Sequence, residues 1–377
     1  MASILLTPYY SKHILEAFNS LWGRTALILF LFVVLACSWS VAPYGMQLGM
    51  IGKYFKLIYL PVLAVGFINP KTRKWCLNGY LFAIFITCVV SILKSIQIIQ
   101  SFDPGEVFYN HIITGFMTGL GAYLAGLFAF QSKGWTRVIY SFLVLLTSYQ
   151  VMFINSGRTG YVLYLILMGL LLFQQISFKR AFVGLLLLCG LLTAVYEVSP
   201  ILQERTTDLI KDIKQLQAHN PNTSIGYRIQ FHNYAKSLWL THPFTGIGTG
   251  GFKYSFSLDK PVPAWGDTLN DPHSQYWMTL SEHGLIGMLL LIIFLGSLFV
   301  TSMELTETRP VLLGILVAFC IGSLSDTILC YSTAGYLLVV MSALCFGELI
   351  EKRTSDPIAE SNFNIVPDNN SGNPIHA

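Results

Sequence analysis

The sequence predicts an all-α polytopic membrane protein of about 10–12 transmembrane helices, and three observations carry that expectation. Of its 377 residues, 54% are hydrophobic and only 11% are charged, whereas a soluble domain carries about 25% charged residues. The apolar residues are gathered into runs close to the roughly 20 that a spanning helix needs. Lysine and arginine fall mostly in alternate short connections, the asymmetry left when basic loops stay on the cytoplasmic side. Hydrocarbon offers no water to a bare backbone group, so each run is expected to bond its own backbone as a helix.

Ten runs are expected to span: 25–42, 53–69, 76–99, 108–130, 136–154, 159–176, 181–198, 274–300, 310–328 and 331–350. The first is preceded by Lys12 and Arg24 and followed by Pro43 and Tyr44, without a small-x-small cleavage site, and is read as a retained anchor. With the N-terminus inside, Lys12, Arg24, Lys71, Arg73, Lys74, Lys133, Arg137, Lys179, Arg180, Arg309, Lys352 and Arg353 all become cytoplasmic. The short outer loops then hold only Lys53, Lys56 and Arg158 as basic residues, and the acidic turn Asp103-Pro104-Gly105-Glu106 lies outside. Both termini are cytoplasmic in this threading.

The chain divides into an N-terminal transmembrane bundle (1–198), an outer loop with amphipathic helices (199–273), C-terminal transmembrane helices (274–351) and a tail (352–377). The tail is rich in Asn, Ser, Pro and Asp and too poor in apolar residues to bury a core, so disorder is expected there. Seven cysteines (Cys37, Cys76, Cys88, Cys189, Cys320, Cys330, Cys345) lie in or beside apolar runs without a CxxC spacing. They suggest neither a disulfide framework nor a zinc site. A net charge of +4, dispersed along the chain, points to no nucleic-acid partner.

Chemistry is expected in the outer loop, the one long polar segment. From Ile201-Leu202 through Leu209, Ile210, Ile213 and Leu216, apolar residues recur at helical spacing with Lys211 and Lys214 between them. That pattern fits a helix lying on the membrane surface or packed on the spans. A second helical stretch, 227–240, carries Arg228 at its start, with Ile229, Ala235, Leu238 and Trp239 as its apolar residues, and closes at His242-Pro243. The run Thr245-Gly246-Ile247-Gly248-Thr249-Gly250-Gly251-Phe252 superficially resembles a phosphate loop, but no strand pattern precedes it and no Gly-Lys-Ser/Thr follows. Tight turns needing positive φ are the favoured reading; a nest of N–H groups facing a diphosphate is the alternative.

The loop ends at Asn270-Asp271-Pro272-His273-Ser274-Gln275, where a proline turn delivers His273 to the mouth of the eighth run. An imidazole with an ordinary pKa near 6.5 suits general-base work, and the preceding Asp271 is expected to orient it. The polar hairpin Asn155-Ser156-Gly157-Arg158-Thr159-Gly160 presents Arg158 on the same face, either as a snorkelling side chain or as a planar fork for phosphate. Lys53 and Lys56, at the start of the second run, serve either a diphosphate or lipid headgroups. Asp267 and Asp271 lie four apart with no clear third ligand, so no metal is expected.

The stretch His273-Ser274, nine residues, then Gly284-Leu285-Ile286-Gly287 resembles the His-[Asn/Ser/Gln]-x9-Gly-x-x-[Gly/Thr/Tyr] pattern of bacterial O-antigen ligases. Gly226-Tyr227-Arg228, Ala235-Lys236-Ser237-Leu238 and His242 to Phe252 are similar to that family's loop, and Ser156 to Gly160 to its upstream arginine turn. The likeness covers about 150–300 by motif and the other runs by hydropathy alone. Two features depart from the pattern: members usually have more spans, and the family's Arg-x-x-x-Leu is absent at Arg228, whose fourth following residue is His232. It is met at Arg205, followed by Leu209; Arg228 is favoured for its surroundings, with Arg205 in reserve.

The resemblance implies a cofactor-free and metal-independent membrane glycosyltransferase of the type C-like architecture. Such an enzyme moves a glycan from undecaprenyl diphosphate to a sugar hydroxyl of lipid A-core on the periplasmic face of a Gram-negative inner membrane. It implies His273 as general base, Arg228 as catalytic, and Arg158, Arg228, Arg205, Lys53 and Lys56 on the diphosphate. Tyr227, Asp271, Ser274, Gln275, Gly284 and Gly287 are implied as support. The nearest alternative is an O-antigen polymerase of the same superfamily; a ligase acting on protein is disfavoured by the short tail. A transporter predicts ionisable residues in mid-membrane, whereas Lys94, Glu197, Glu282 and Asp326 lie near the ends of runs.

Overall fold

The computed structural model describes residues 8–355 except Asp267, and these are predominantly helical, with no strand among them. The helices are α1 Pro8–Asn19, α2 Leu21–Leu35, α3 Tyr44–Tyr54, α4 Lys56–Gly66, α5 Pro70–Ser95, α6 His111–Gln131, α7 Gly134–Phe153, α8 Arg158–Gln175 and α9 Phe178–Val198. They continue as α10 Pro200–Gln217, α11 Ser224–Thr241, α12 Gly251–Asp259, α13 Gln275–Ser302, α14 Arg309–Ser325 and α15 Ser332–Ser355. Polar side chains cap several starts: Asn69 accepts from Lys71 N at 2.9 Å, Asn110 from Ile113 N at 2.8 Å, and Thr223 from Gly226 N at 3.1 Å. Each satisfies one of the amides that a helix leaves unbonded at its first turn.

Every expected run overlaps a helix, and among the described residues eight helices are long and apolar enough to cross a membrane. The chain is a multi-pass membrane protein. The other two runs correspond to α8, of 18 residues, and α14, of 17. At 1.5 Å per residue α14 reaches about 26 Å, just short of the hydrocarbon thickness. The second run departs most from expectation: helix begins at Tyr44 and is interrupted at Phe55, so Lys53 and Lys56 lie within the span and not at its start. The last helix extends to Ser355; the rest of the expected tail, like Asp267, lies outside the described residues.

Helix α6 is the axis of the bundle, buried along most of its length and packed against α7 and α8. Its Gly115 meets Gly160 of α8 so closely that a Cβ on Gly115 would stand 2.9 Å from the Gly160 Cα. Small residues let two helix backbones approach in this way, which a membrane core rewards with packing and not with hydrophobic gain. That crossing fixes the hairpin 155–160 at one end of the bundle. Peripheral α9 buries only Ala181 and exposes Phe182, Leu186, Leu187 and Leu191, as a lipid-facing helix should.

The segment between α9 and α13 covers this same end. In α10, Arg205, Asp208 and Asp212 share one face at helical spacing and line a cavity, while Leu209, Ile210 and Ile213 remain exposed. In α11 the buried apolar residues are Phe231 and Ala235, whereas Ile229, expected as an apolar face residue, is 38% exposed. The glycine run lies across α13, whose helix is broken at Gly284 (φ 62°, ψ −161°). Ile247 N and Gly248 N donate to the Ser281 and Glu282 carbonyls, while Leu285 N and Ile286 N donate to those of Pro243 and Phe244. A Cβ on Gly284 would lie 2.4 Å from Phe244 C, and one on Gly246 2.4 Å from Glu282 C. Both residues also need positive φ, so glycine is required at each on two counts. The amides of Ile247 and Gly248 are thus spent on α13, which supports tight turns over a phosphate nest. Gly287 sits on the next turn of α13, where a Cβ would strike that of His283.

Candidate active site

His273 immediately precedes Ser274, the N-cap of α13, and has φ 51°, a left-handed conformation that is rare outside glycine. Asp271 Oδ1 accepts His273 N at 3.0 Å and holds that turn. Asp271 therefore shapes the backbone, where it had been expected to orient the imidazole. The carboxylate nearest the ring comes from a different helix end: His273 Nδ1 lies 3.5 Å from Asp326 Oδ1, at the end of α14. Asp326 is fully buried; the Tyr331 hydroxyl and Thr327 N donate to its Oδ1 at 3.0 and 2.9 Å.

Ser274 and Gln275 join these two elements. Ser274 Oγ donates to the Ser323 carbonyl at 3.3 Å, Gln275 N to the Asp326 carbonyl at 3.1 Å, and Leu329 N to Gln275 Oε1 at 3.1 Å. Gln275 Nε2 reaches the Tyr54 hydroxyl at 3.2 Å, and the residue is completely buried. The start of α13 and the 323–329 turn are thereby held as one piece, which sets the distance between His273 and Asp326.

Burial works against a charged His273, but the carboxylates of Asp326 and Asp271 outweigh it and raise its pKa above the ordinary value; the Arg228 charge opposes them. Asp271 is itself raised, by burial and then by the Asp326 charge. His232, one turn after Arg228, is lowered, chiefly by burial.

Beside this cluster is a cavity of 270 Å³ that brings together Arg158, Arg205 and Arg228 with Asp103, Asp208 and Asp212. Arg158 Nη1 donates to Asp212 Oδ2 at 3.0 Å, and Arg205 Nη1 to Asp208 Oδ2 at 3.3 Å. Arg158 thus points into the cavity and does not snorkel. Arg228 makes no hydrogen bond or ion pair with a described residue; burial lowers its pKa, while the nearby Asp326 charge supports the guanidinium. Asp103 anchors the rim, accepting from His111 Nδ1 at 3.1 Å, Ser156 Oγ at 2.7 Å and Gly105 N at 2.8 Å. Burial opposes its charge, but these bonds prevail and bring its pKa to about 2. Asn155 accepts from Gly157 N at 2.6 Å and donates to the His111 carbonyl at 3.2 Å, tying the hairpin that carries Arg158.

Two lysines grouped with these arginines from sequence are elsewhere. Lys56 is only 2% exposed; its ammonium donates to the Leu329 and Tyr331 carbonyls at 2.8 and 2.9 Å and lies over the Tyr336 ring. It anchors a turn, because a buried ammonium must be satisfied by carbonyls where no anion is at hand. Lys53 lines a separate cavity. Tyr227 packs its ring on Phe231 and Trp265, and Phe231 in turn lies 5.9 Å from the His273 ring, so Tyr227 supports the histidine through an aromatic stack.

Sequence reasoning did not pair Asp326 with His273, nor Asp212 with Arg158. A signal for the first existed: an acid between two apolar runs is costly unless it has a partner. Asp271, His273 and Asp326 each offer a ligand atom within 4.8 Å of the others, a different grouping from the Asp267 and Asp271 weighed from sequence, of which Asp267 lies outside the described residues. Tyr331, Thr327 N and His273 N already engage Asp326 Oδ1 and Asp271 Oδ1.

One end of an all-helical membrane bundle thus gathers a carboxylate-backed histidine and three arginines. The family model for O-antigen ligase matches residues 142–292, from within α7 to the middle of α13. The match over that segment supports membership of the O-antigen ligase family, within the superfamily of O-antigen ligases and polymerases. The match includes Arg158, Arg205, Arg228, His273, Gly284 and Gly287, and leaves out Lys53 and Asp326. No curated protein matches the chain.

Proposed function

We propose that this protein is an O-antigen ligase, transferring a glycan from undecaprenyl diphosphate to a sugar hydroxyl of lipid A-core at the periplasmic face of the inner membrane. The observation that carries the reading is the pairing of a half-buried His273 with the buried Asp326 near a cavity whose Arg228 feels both and has no hydrogen-bond or ion-pair partner among the described residues. In this reading Asp326 holds Nδ1 of His273, and Nε2 takes the proton from the acceptor hydroxyl as its oxygen attacks the anomeric carbon. Negative charge gathers on the departing lipid diphosphate, and Arg228, with Arg158 and Arg205, neutralises it without a metal. The lipid diphosphate is already an activated donor, so no nucleotide is needed. The apolar face of α10 lies in the outer headgroup layer, and both lipids enter laterally from it.

The test is complementation of a ligase-deficient Gram-negative strain, with lipopolysaccharide read on a gel beside an expression check. Restoration of the ladder is expected. Polymer accumulating on the carrier lipid without a ladder on the core would overturn the ligase reading in favour of a polymerase.

The mechanism also fixes a pH dependence. The working base is neutral imidazole, and the His273 pKa is raised, so kcat/KM should climb as pH rises through a value above 6.5 and level off beyond it. Replacing Asp326 by Asn removes the main raising influence, and the acid limb should move to lower pH. Reconstituted protein with purified donor and acceptor provides the measurement; an acid limb unmoved in Asp326→Asn would separate His273 from it.

A further inference from the structure

The same end of the bundle holds a second cavity, of 380 Å³, lined by Lys53, Tyr109, Asn270, Tyr331, Ser332 and Thr333. Asp271 also lines it, so this cavity reaches the His273 cluster: Asp271 and Tyr331 face it, while Arg228, which faces the other cavity, feels the charges of Asp326 and Tyr331. None of the three arginines lines the second cavity. Its volume lies in the range of small-ligand pockets, roughly 300–1,000 Å³.

The lining has a definite chemical character. Asn270, Ser332 and Thr333 offer an amide and hydroxyls, and the rings of Tyr109 and Tyr331, 5.2 Å apart, give flat apolar faces. Thr333 Oγ1 has no hydrogen-bond partner among the described residues. Lys53 is half-buried and makes no hydrogen bond or ion pair with any of them, unlike Lys56, which is held by two carbonyls. Asp271 is the one acidic residue of the lining, and its Oδ1 is engaged by His273 N. A partly desolvated ammonium facing a polar cavity is best satisfied by an anion.

We infer that this second cavity is the acceptor site, and that it selects a saccharide bearing a phosphate substituent, which Lys53 binds. The inference rests on the ligase reading above and deepens it. Direct displacement needs the entering oxygen and the leaving diphosphate on opposite sides of the anomeric carbon. Separate donor and acceptor cavities, one lined by Arg228 and the other by Asp271, whose charges both act on His273, supply that arrangement. Lys53 becomes a specificity-determining residue on the acceptor and not a further hand on the donor.

Binding to the full-length protein in nanodiscs tests this without turnover. The probes are phosphorylated lipid A-core from a ligase-deficient strain, the same glycolipid stripped of phosphate by hydrofluoric acid, and the undecaprenyl diphosphate-linked glycan. Wild type should bind the phosphorylated acceptor about tenfold more tightly than the stripped one, the scale of one charge-assisted hydrogen bond. Lys53→Gln should abolish that preference, Lys53→Arg should keep it, and donor affinity should be unchanged in both. Weakened donor binding in Lys53→Gln would place Lys53 on the diphosphate instead, and equal affinity of wild type for both acceptors would overturn the inference outright. Failure of the ligase reading is seen separately, as absent ladders in the complementation assay.

Discussion

His273→Ala is expected to abolish ladder formation while the protein accumulates normally in the membrane. A positioned general base contributes about 10² to 10⁴ in rate, or roughly 3–5 kcal/mol of barrier, and a loss of that size leaves no visible ladder on a lipopolysaccharide gel. Accumulation should persist because the fold around the histidine does not lean on its ring. The turn is held through His273 N by Asp271, and α13 is docked by Ser274 and Gln275. The left-handed φ of 51° adds a modest strain in any non-glycine residue, alanine included. Single-turnover assays on reconstituted protein give the magnitude. A rate within tenfold of wild type would remove His273 as the base.

Arg228→Ala should produce the second large loss, about 10² to 10³ in kcat, the scale for deleting one preorganised group at a site of developing charge. Arg158 and Arg205 cannot replace it at no cost, because each is already paired with an aspartate, Asp212 and Asp208. Arg228 has no such partner among the described residues, and the Asp326 charge acts on it without a direct ion pair. Its guanidinium is therefore the one free to meet an incoming anion. Arg228→Lys should recover part of the rate, since charge is restored but the two-pronged geometry is not. Arg158→Ala should cost less than Arg228→Ala. Steady-state kinetics with donor and acceptor varied separately decides the ranking, and a larger defect in Arg158→Ala would shift the diphosphate toward the hairpin side of the cavity.

Much of this architecture is legible in the sequence because the membrane enforces it locally. A run of apolar residues in hydrocarbon has to close its own hydrogen bonds, so the positions of the runs could be read without knowing what they pack against. The glycines of 245–251 and Gly284 are legible as residues needing unusual backbone, yet not as two halves of one crossing. The arginines were legible as a set on one face, although Asp212 and Asp208 were not. Lys53 was grouped with them only because both sit near outer ends of runs. The interruption of helix at Phe55 and the packing of α3 on the 328–330 turn place it in a different cavity.

Asp271 and Asp326 mark the boundary between the two kinds of information. Adjacent sequence made Asp271 the candidate partner of His273, but a residue two positions away in a tight turn reaches the backbone amide more readily than the ring. The partner of the ring lies 53 positions further along, at the end of another span, and is brought there by Gln275 bonding across the gap. By itself the sequence determined which segments are helical, which end of the bundle is polar, and that His273, Arg158, Arg205 and Arg228 share that end. Tertiary structure alone decided which carboxylate faces the imidazole, which arginine is left unpaired and which lysine faces a cavity. Helix formation in a membrane follows from each segment's own composition, whereas the pairing of buried charges depends on contacts between segments distant in the chain.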